Sequence, residues 1–146
     1  MSPLQIGKSI TVDEYLKPLI TDGVSDIHLK VNRPPLLRIH GILSAHNSPD
    51  LSEEDTEQFA KHLLTDKMWE QFKIENEVDT SYSIAGCSRL RLNIFRQRGT
   101  ISIAIRILSF NIPTIDELRV PEVVKALSLS IRGLIVVTGV TGSGKS

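Results

Sequence analysis

The sequence has one cysteine, no net charge and no long apolar run, and each shortage removes a class of protein. Cys87 alone cannot close an internal disulfide and supplies too few thiolates for a cysteine-based zinc site, a usage that fits a reducing, cytosolic setting. Seventeen Lys and Arg balance seventeen Asp and Glu, so the overall charge gives no footprint for nucleic acid. The longest apolar run, Leu134–Val137, falls far short of the roughly 20 residues a membrane helix needs. The opening MSPLQIGKSI lacks the apolar core of a signal peptide. Any membrane association is therefore expected through partners, without insertion. Internal repeats and low-complexity segments are also missing. What remains is a 146-residue chain, 40% apolar, which can support a packed core of ordinary domain size.

The most specific stretch is the last one. Gly139-Val140-Thr141-Gly142-Ser143-Gly144-Lys145-Ser146 fits G-x-x-x-x-G-K-S, a phosphate-binding P-loop. Its glycines let backbone N–H groups turn inward around phosphate oxygens. Lys145 reaches the β- and γ-phosphates, and the Ser146 hydroxyl is placed to ligate Mg2+. The preceding Leu134-Ile135-Val136-Val137-Thr138 reads as a buried parallel strand. The helix N-terminus that would complete the anion site falls after Ser146.

Upstream, the periodicity predicts an α+β module. A helix is expected over about 12–22, with Thr11 as N-cap, Gly23 as stop and a kink or late start at Pro18. Ser25–Lys30 alternates as a half-buried strand, and Leu36–Leu43 reads as a second with a glycine turn or bulge. Ser52 and Asp55 form a capping box for a helix burying Phe59, Ala60, Leu63 and Leu64. A further helix over 66–74 buries Met68, Trp69 and Phe72. The acidic run Glu53–Asp55 reads as helix capping and not metal binding. The period then switches to two. Val78–Ile84, Ser88–Gln97 and Thr100–Leu108 are strands, Asn111-Ile112-Pro113 is a connector, and Pro121 opens a short helix.

A two-residue turn at Arg98-Gly99 fixes the register of the last two strands. Gln97 then faces Thr100, and Ile94, Leu92 and Leu90 face Ile103, Ile105 and Ile107 on one apolar face. The other face sets Arg91 against Arg106, with Arg89 two residues on. Two opposed arginines repel unless they share an oxyanion, for which a guanidinium fork is suited, or unless nearby carboxylates or solvent screen them. Arg96 falls on the apolar face beside the turn, so a bulge or an outward reach of its side chain is required.

Several stretches resemble the PilT-like, twitching-motility branch of the type II secretion and type IV pilus ATPases. They are Ser25-Asp26-Ile27-His28-Leu29, Arg33–Gly41, Arg89–Phe95 with Gln97-Arg98-Gly99, Ile112–Ile115, and Arg132–Gly139 running into the P-loop. The resemblance implies a PAS-like N-terminal domain over 1–108, a linker over 109–131, and the start of a RecA-like ATPase domain over 132–146. It implies a cytoplasmic homo-hexamer that binds ATP and Mg2+ between its domains and meets an inner-membrane platform protein, with no nucleic-acid partner. Cofactor contacts fall on Gly139, Thr141, Gly142, Ser143, Gly144, Lys145 and Ser146, with Ser146 on the metal. The catalytic set is Lys145 and, from the N-terminal module, Arg91 first, then Arg98 and Arg106, with Arg89 and Arg96 behind them. Asp26 and His28 match a family signature but read as structural, the aspartate bonding a turn and the histidine satisfied within a strand. His40 stands where the family often has Asp, a departure that affects one local hydrogen bond. The short first helix favours pilus retraction over the assembly and secretion relatives. The Walker B, glutamate and histidine motifs of the family lie after Ser146, so these 146 residues are expected not to hydrolyse ATP; for this chain alone, a non-catalytic docking module is the other reading.

Overall fold

The computed structural model describes residues 10–108 and 114–139. The chain divides into two compact units, Met1–Phe110 and Asn111–Ser146.

The first unit opens with helix α1 (Val12–Leu16), followed by a 3-10 turn at Lys17–Leu19. Thr11 caps α1 in a reciprocal capping box with Glu14. The helix is shorter than the apolar spacing predicts. Pro18 has no N–H to donate and its ring crowds the preceding turn, so the helix tightens and ends there. Strand β1 (Val24–Leu29) follows, then β2 (Leu36–Ile39) and β3 (Ile42–Ala45). The stretch over 36–43 is therefore a hairpin, not one strand: His40 and Gly41 take φ of 47° and 84°, the left-handed pair that a two-residue turn demands. Helix α2 (Glu53–Leu63) starts from a full Ser52–Asp55 capping box. Helix α3 (Asp66–Glu75) is capped by Thr65 and ends on Asn76 in the left-handed region. Strands β4 (Glu77–Ile84), β5 (Ser88–Gln97) and β6 (Thr100–Leu108) complete the unit.

The six strands form one sheet in the order β3-β2-β1-β6-β5-β4, each neighbouring pair antiparallel. Helix α2 lies against β6, and α3 against β4. Between helices and sheet Phe59, Phe72, Leu16, Ile27, Leu29, Leu90, Leu92, Ile94, Ile103 and Ile105 are all but fully buried. Met68 and Trp69 flank this core half-buried, with Trp69 stacked on Phe72 at 5.6 Å between ring centroids. Tyr82 on β4 donates its hydroxyl hydrogen to Asp13 on α1 at 2.8 Å and meets His62 on α2 at 3.3 Å, joining three elements at one polar point. Burial, then the Asp13 hydrogen bond and charge, pushes the Tyr82 phenol up to about 12.

In the second unit, helix α4 (Val123–Ser128) begins two residues after Pro121 and buries no side chain. The expected strand over 134–138 is not one. Leu134, Ile135, Val136 and Val137 are non-regular and 53–87% exposed. A parallel strand exists only through hydrogen bonds to strands beside it, and the described residues of this unit contain none. The connector Asn111-Ile112-Pro113 lies outside the described residues.

Candidate functional site

The two-residue turn at Arg98 and Gly99, with φ of 53° and 87°, locks the β5–β6 hairpin. The register that follows pairs Gln97 with Thr100, Ile94 with Ile103, Leu92 with Ile105, Leu90 with Ile107 and Arg91 with Arg106, as the turn arithmetic requires. Pairing runs unbroken to the turn, so no bulge re-aims Arg96. Its guanidinium instead lies 5.3 Å from the centre of the Phe72 ring and donates to the Gly99 carbonyl oxygen at 3.3 Å.

The face away from the helices is charged, and its order comes from strands far apart in sequence. Cross-strand partners place Leu43, Arg38, Asp26, Arg106, Arg91 and Ser81 in one row across all six strands. Asp26 stands between two arginines. Its Oδ1 accepts from Arg106 Nε at 3.0 Å, its Oδ2 lies 3.4 Å from Arg38 Nε, and the Ser25 hydroxyl donates to Oδ2 at 2.8 Å. A register shift between Val24 and Asp26 leaves Ser25 as an extra residue against β2, which brings its hydroxyl beside the carboxylate. Arg91 Nε approaches Asp79 Oδ1 at 3.5 Å. The Arg91–Arg106 repulsion is thus partly met from within the protein, by one carboxylate on each side. The expected turn role of Asp26 gives way to a place in the middle of a strand.

Burial opposes ionisation of Asp26, but the Ser25 hydroxyl, the Arg106 hydrogen bond and the charges of Arg106 and Arg38 outweigh it and hold the carboxyl below its ordinary range. His28 is one residue further round on the same face, and burial pushes its imidazole down despite the attraction of Asp26. Both line a cavity of about 270 Å3 with Asp79, Arg91, Asn93 and Arg106. The Asp26 side chain is 15% exposed, whereas Arg91 and Arg106 are each 67% exposed. Beyond their Nε contacts, the terminal nitrogens of both arginines have no partner among the described residues.

The structure therefore brings Arg91 and Arg106 together and leaves Arg98 apart. Arg98 sits at the hairpin tip, seven strand residues from Arg91, or about 23 Å at ~3.3 Å per residue. Arg89 lines a shallower neighbouring depression with Arg91 and Ser81. Of the P-loop, Gly139 is described and exposed, while Thr141, Gly142, Ser143, Gly144, Lys145 and Ser146 lie outside the described residues. No cluster of three metal-ligating side chains occurs among the described residues. The residue that sequence reasoning missed is Asp26. Its alternation with Ile27 placed it on the polar face, but its partner Arg106 is 80 residues away.

No family model matches the chain. Over 134 residues it is 31% identical to the type IV pilus ATPase PilU of Pseudomonas aeruginosa, covering 92% of this chain and 35% of that protein. Over 135 residues it is 34% identical to the type IV pilus retraction ATPase PilT of the same organism, covering 92% and 39%. The crystal structure of the pilus retraction motor PilT with bound ADP matches with a TM-score of 0.78 and 38% identity, over 93% of this chain and 40% of that one. The chain thus spans about two fifths of the length of the relatives it matches. By sequence and by fold, it is a relative of the PilT-like pilus retraction ATPases, matching their N-terminal part.

Proposed function

We propose that this chain is the N-terminal part of a motor ATPase that couples ATP binding and hydrolysis to type IV pilus retraction. The observation that carries the reading is the pairing of Arg91 with Arg106 in the lining of one cavity, on a chain whose relatives are pilus ATPases. In this reading residues 1–108 form a PAS-like module, 109–131 a linker and 132–146 the opening of a RecA-like domain. Six copies form a cytoplasmic ring that docks on an inner-membrane platform protein. Gly139–Ser146 would cradle the phosphates of ATP, and Ser146 would hold Mg2+, which would supply positive charge to the transferred group. Guanidinium nitrogens with no partner among the described residues, at an open cavity, suit a phosphate oxyanion. Arg91 and Arg106 are the arginines that approach the nucleotide from the N-terminal module, with Arg98 a more distant third.

The experiment is made in the full-length protein that carries this chain. Lys145→Ala should remove ATP binding and hydrolysis together. Arg91→Ala should lower kcat by at least about a hundredfold while KM for ATP changes little, the pattern of a group acting on transition-state charge. Unchanged turnover in Arg91→Ala leaves only a solvated sheet face. The 146 residues alone should show no P-loop-dependent turnover.

A further inference from the structure

An arginine on an open sheet face has many rotamers, and ordering it on a ligand costs entropy each time. Arg106 has a device against that cost. Its Nε is hydrogen-bonded to Asp26 Oδ1 at 3.0 Å, which fixes the plane of the guanidinium by one edge and leaves the two terminal nitrogens unpartnered among the described residues. Asp26 is itself fixed from the other side by the Ser25 hydroxyl at 2.8 Å and by Arg38 at 3.4 Å, and it is the least exposed member of the row. A carboxylate on a mobile side chain would neutralise Arg106 without orienting it. One held on a central strand, beside a bulge, does both.

We propose that Asp26 is a positioning residue, which holds Arg106 by Nε so that its terminal N–H groups meet an oxyanion in the cavity shared with Arg91. This rests on the oxyanion reading of that cavity. The geometry separates positioning from mere charge balance, because the two have opposite signs. As a counter-charge Asp26 competes with the incoming anion, and its removal tightens anion binding. As a positioning group it prepares Arg106, and its removal weakens anion binding.

The test uses the 146-residue chain and pyrophosphate, followed through the side-chain Nε–Hε signals of arginine. In the wild type, the Arg106 signal should be resolved and slow to exchange with solvent, and pyrophosphate should move the Arg91 and Arg106 signals together. Asp26→Ala should return the Arg106 signal to the position of a free arginine and weaken pyrophosphate about tenfold, the scale of a hydrogen bond to a charged group. Asp26→Asn keeps an acceptor for the Nε–H and should fall between wild type and Asp26→Ala. In an Arg106→Ala background, Asp26→Ala should cost nothing more, whereas a structural defect would persist there. Binding as tight as wild type or tighter in either variant overturns the proposal, as does a wild-type chain that ignores pyrophosphate. Where Asp26→Ala fails to fold, Asp26→Asn is judged by the same rule. None of these outcomes bears on Lys145, so the nucleotide reading fails or stands on its own experiment.

Discussion

Asp26 and His28, one step apart on the open face, set how the first unit answers acid. Burial makes His28 reluctant to take a proton, so the unfolded chain protonates first as pH falls below its ordinary ~6.5. The unfolded state then binds more protons than the native one, and stability declines through that window. A second decline belongs to Asp26. Its folded carboxyl titrates below the ~3.9 of an unfolded aspartate, so its contribution is complete above that value and is lost as pH falls through the lower one. Denaturant midpoints measured from pH 7 to pH 2 should show both steps. Asp26→Asn should shrink the lower limb and, by removing the attraction that favours the His28 proton, deepen the upper one, whereas His28→Gln should flatten the upper limb; an unaltered profile in either variant would count against the assigned group. Gly23 is a residue of a different kind. Its φ is 84°, and a Cβ there would lie 2.4 Å from the His40 ring, so Gly23→Ala meets both backbone strain and a clash. Its thermal midpoint should fall, and His40→Ala should return the part due to the clash.

At the scale of elements, two hairpins share a local sequence logic. Arg38-Ile39-His40-Gly41 and Arg96-Gln97-Arg98-Gly99 each place an arginine three residues before a left-handed glycine. In each, that arginine's Nη1 donates to the glycine carbonyl oxygen, at 3.1 Å and 3.3 Å. Gly99 has open space where a Cβ would stand, so Gly99→Ala isolates the conformational cost of the turn. It should lower stability by about 1 kcal/mol in chemical denaturation. Ser52→Ala, which removes the α2 cap, should cost a similar ~1 kcal/mol. These elements also mark what is legible in a sequence. The β5–β6 register was readable because a two-residue turn leaves one pairing solution. The β2–β3 hairpin was blurred because eight consecutive residues with one glycine also fit a bulged strand. The Ser52–Asp55 box was local and therefore visible. The Asp26–Arg106 pair was invisible because no local rule says that β1 joins β6.

At the scale of the molecule, the core belongs to the first unit, running from Val12 to Ile105. A chain ending at Phe110 should therefore unfold in one cooperative transition that coincides with the main transition of all 146 residues; circular dichroism and tryptophan fluorescence of Trp69 should agree on its midpoint. Two separate transitions in the shortened chain would show that the core is not one unit. The sheet order carries a consequence in time. Strands β4, β5 and β6 meet through short turns, and so do β2 and β3, but the two groups are joined only where β1 meets β6. That seam closes a loop of about 80 residues, the kind of distant contact that slows folding. Arg91 and Arg106 face one another as soon as their hairpin closes, while Asp26 reaches them only at the seam. Until that seam closes, Asp79 on neighbouring β4 is the carboxylate at hand for the arginine pair, and Arg106 gains its own counter-charge only when β1 docks.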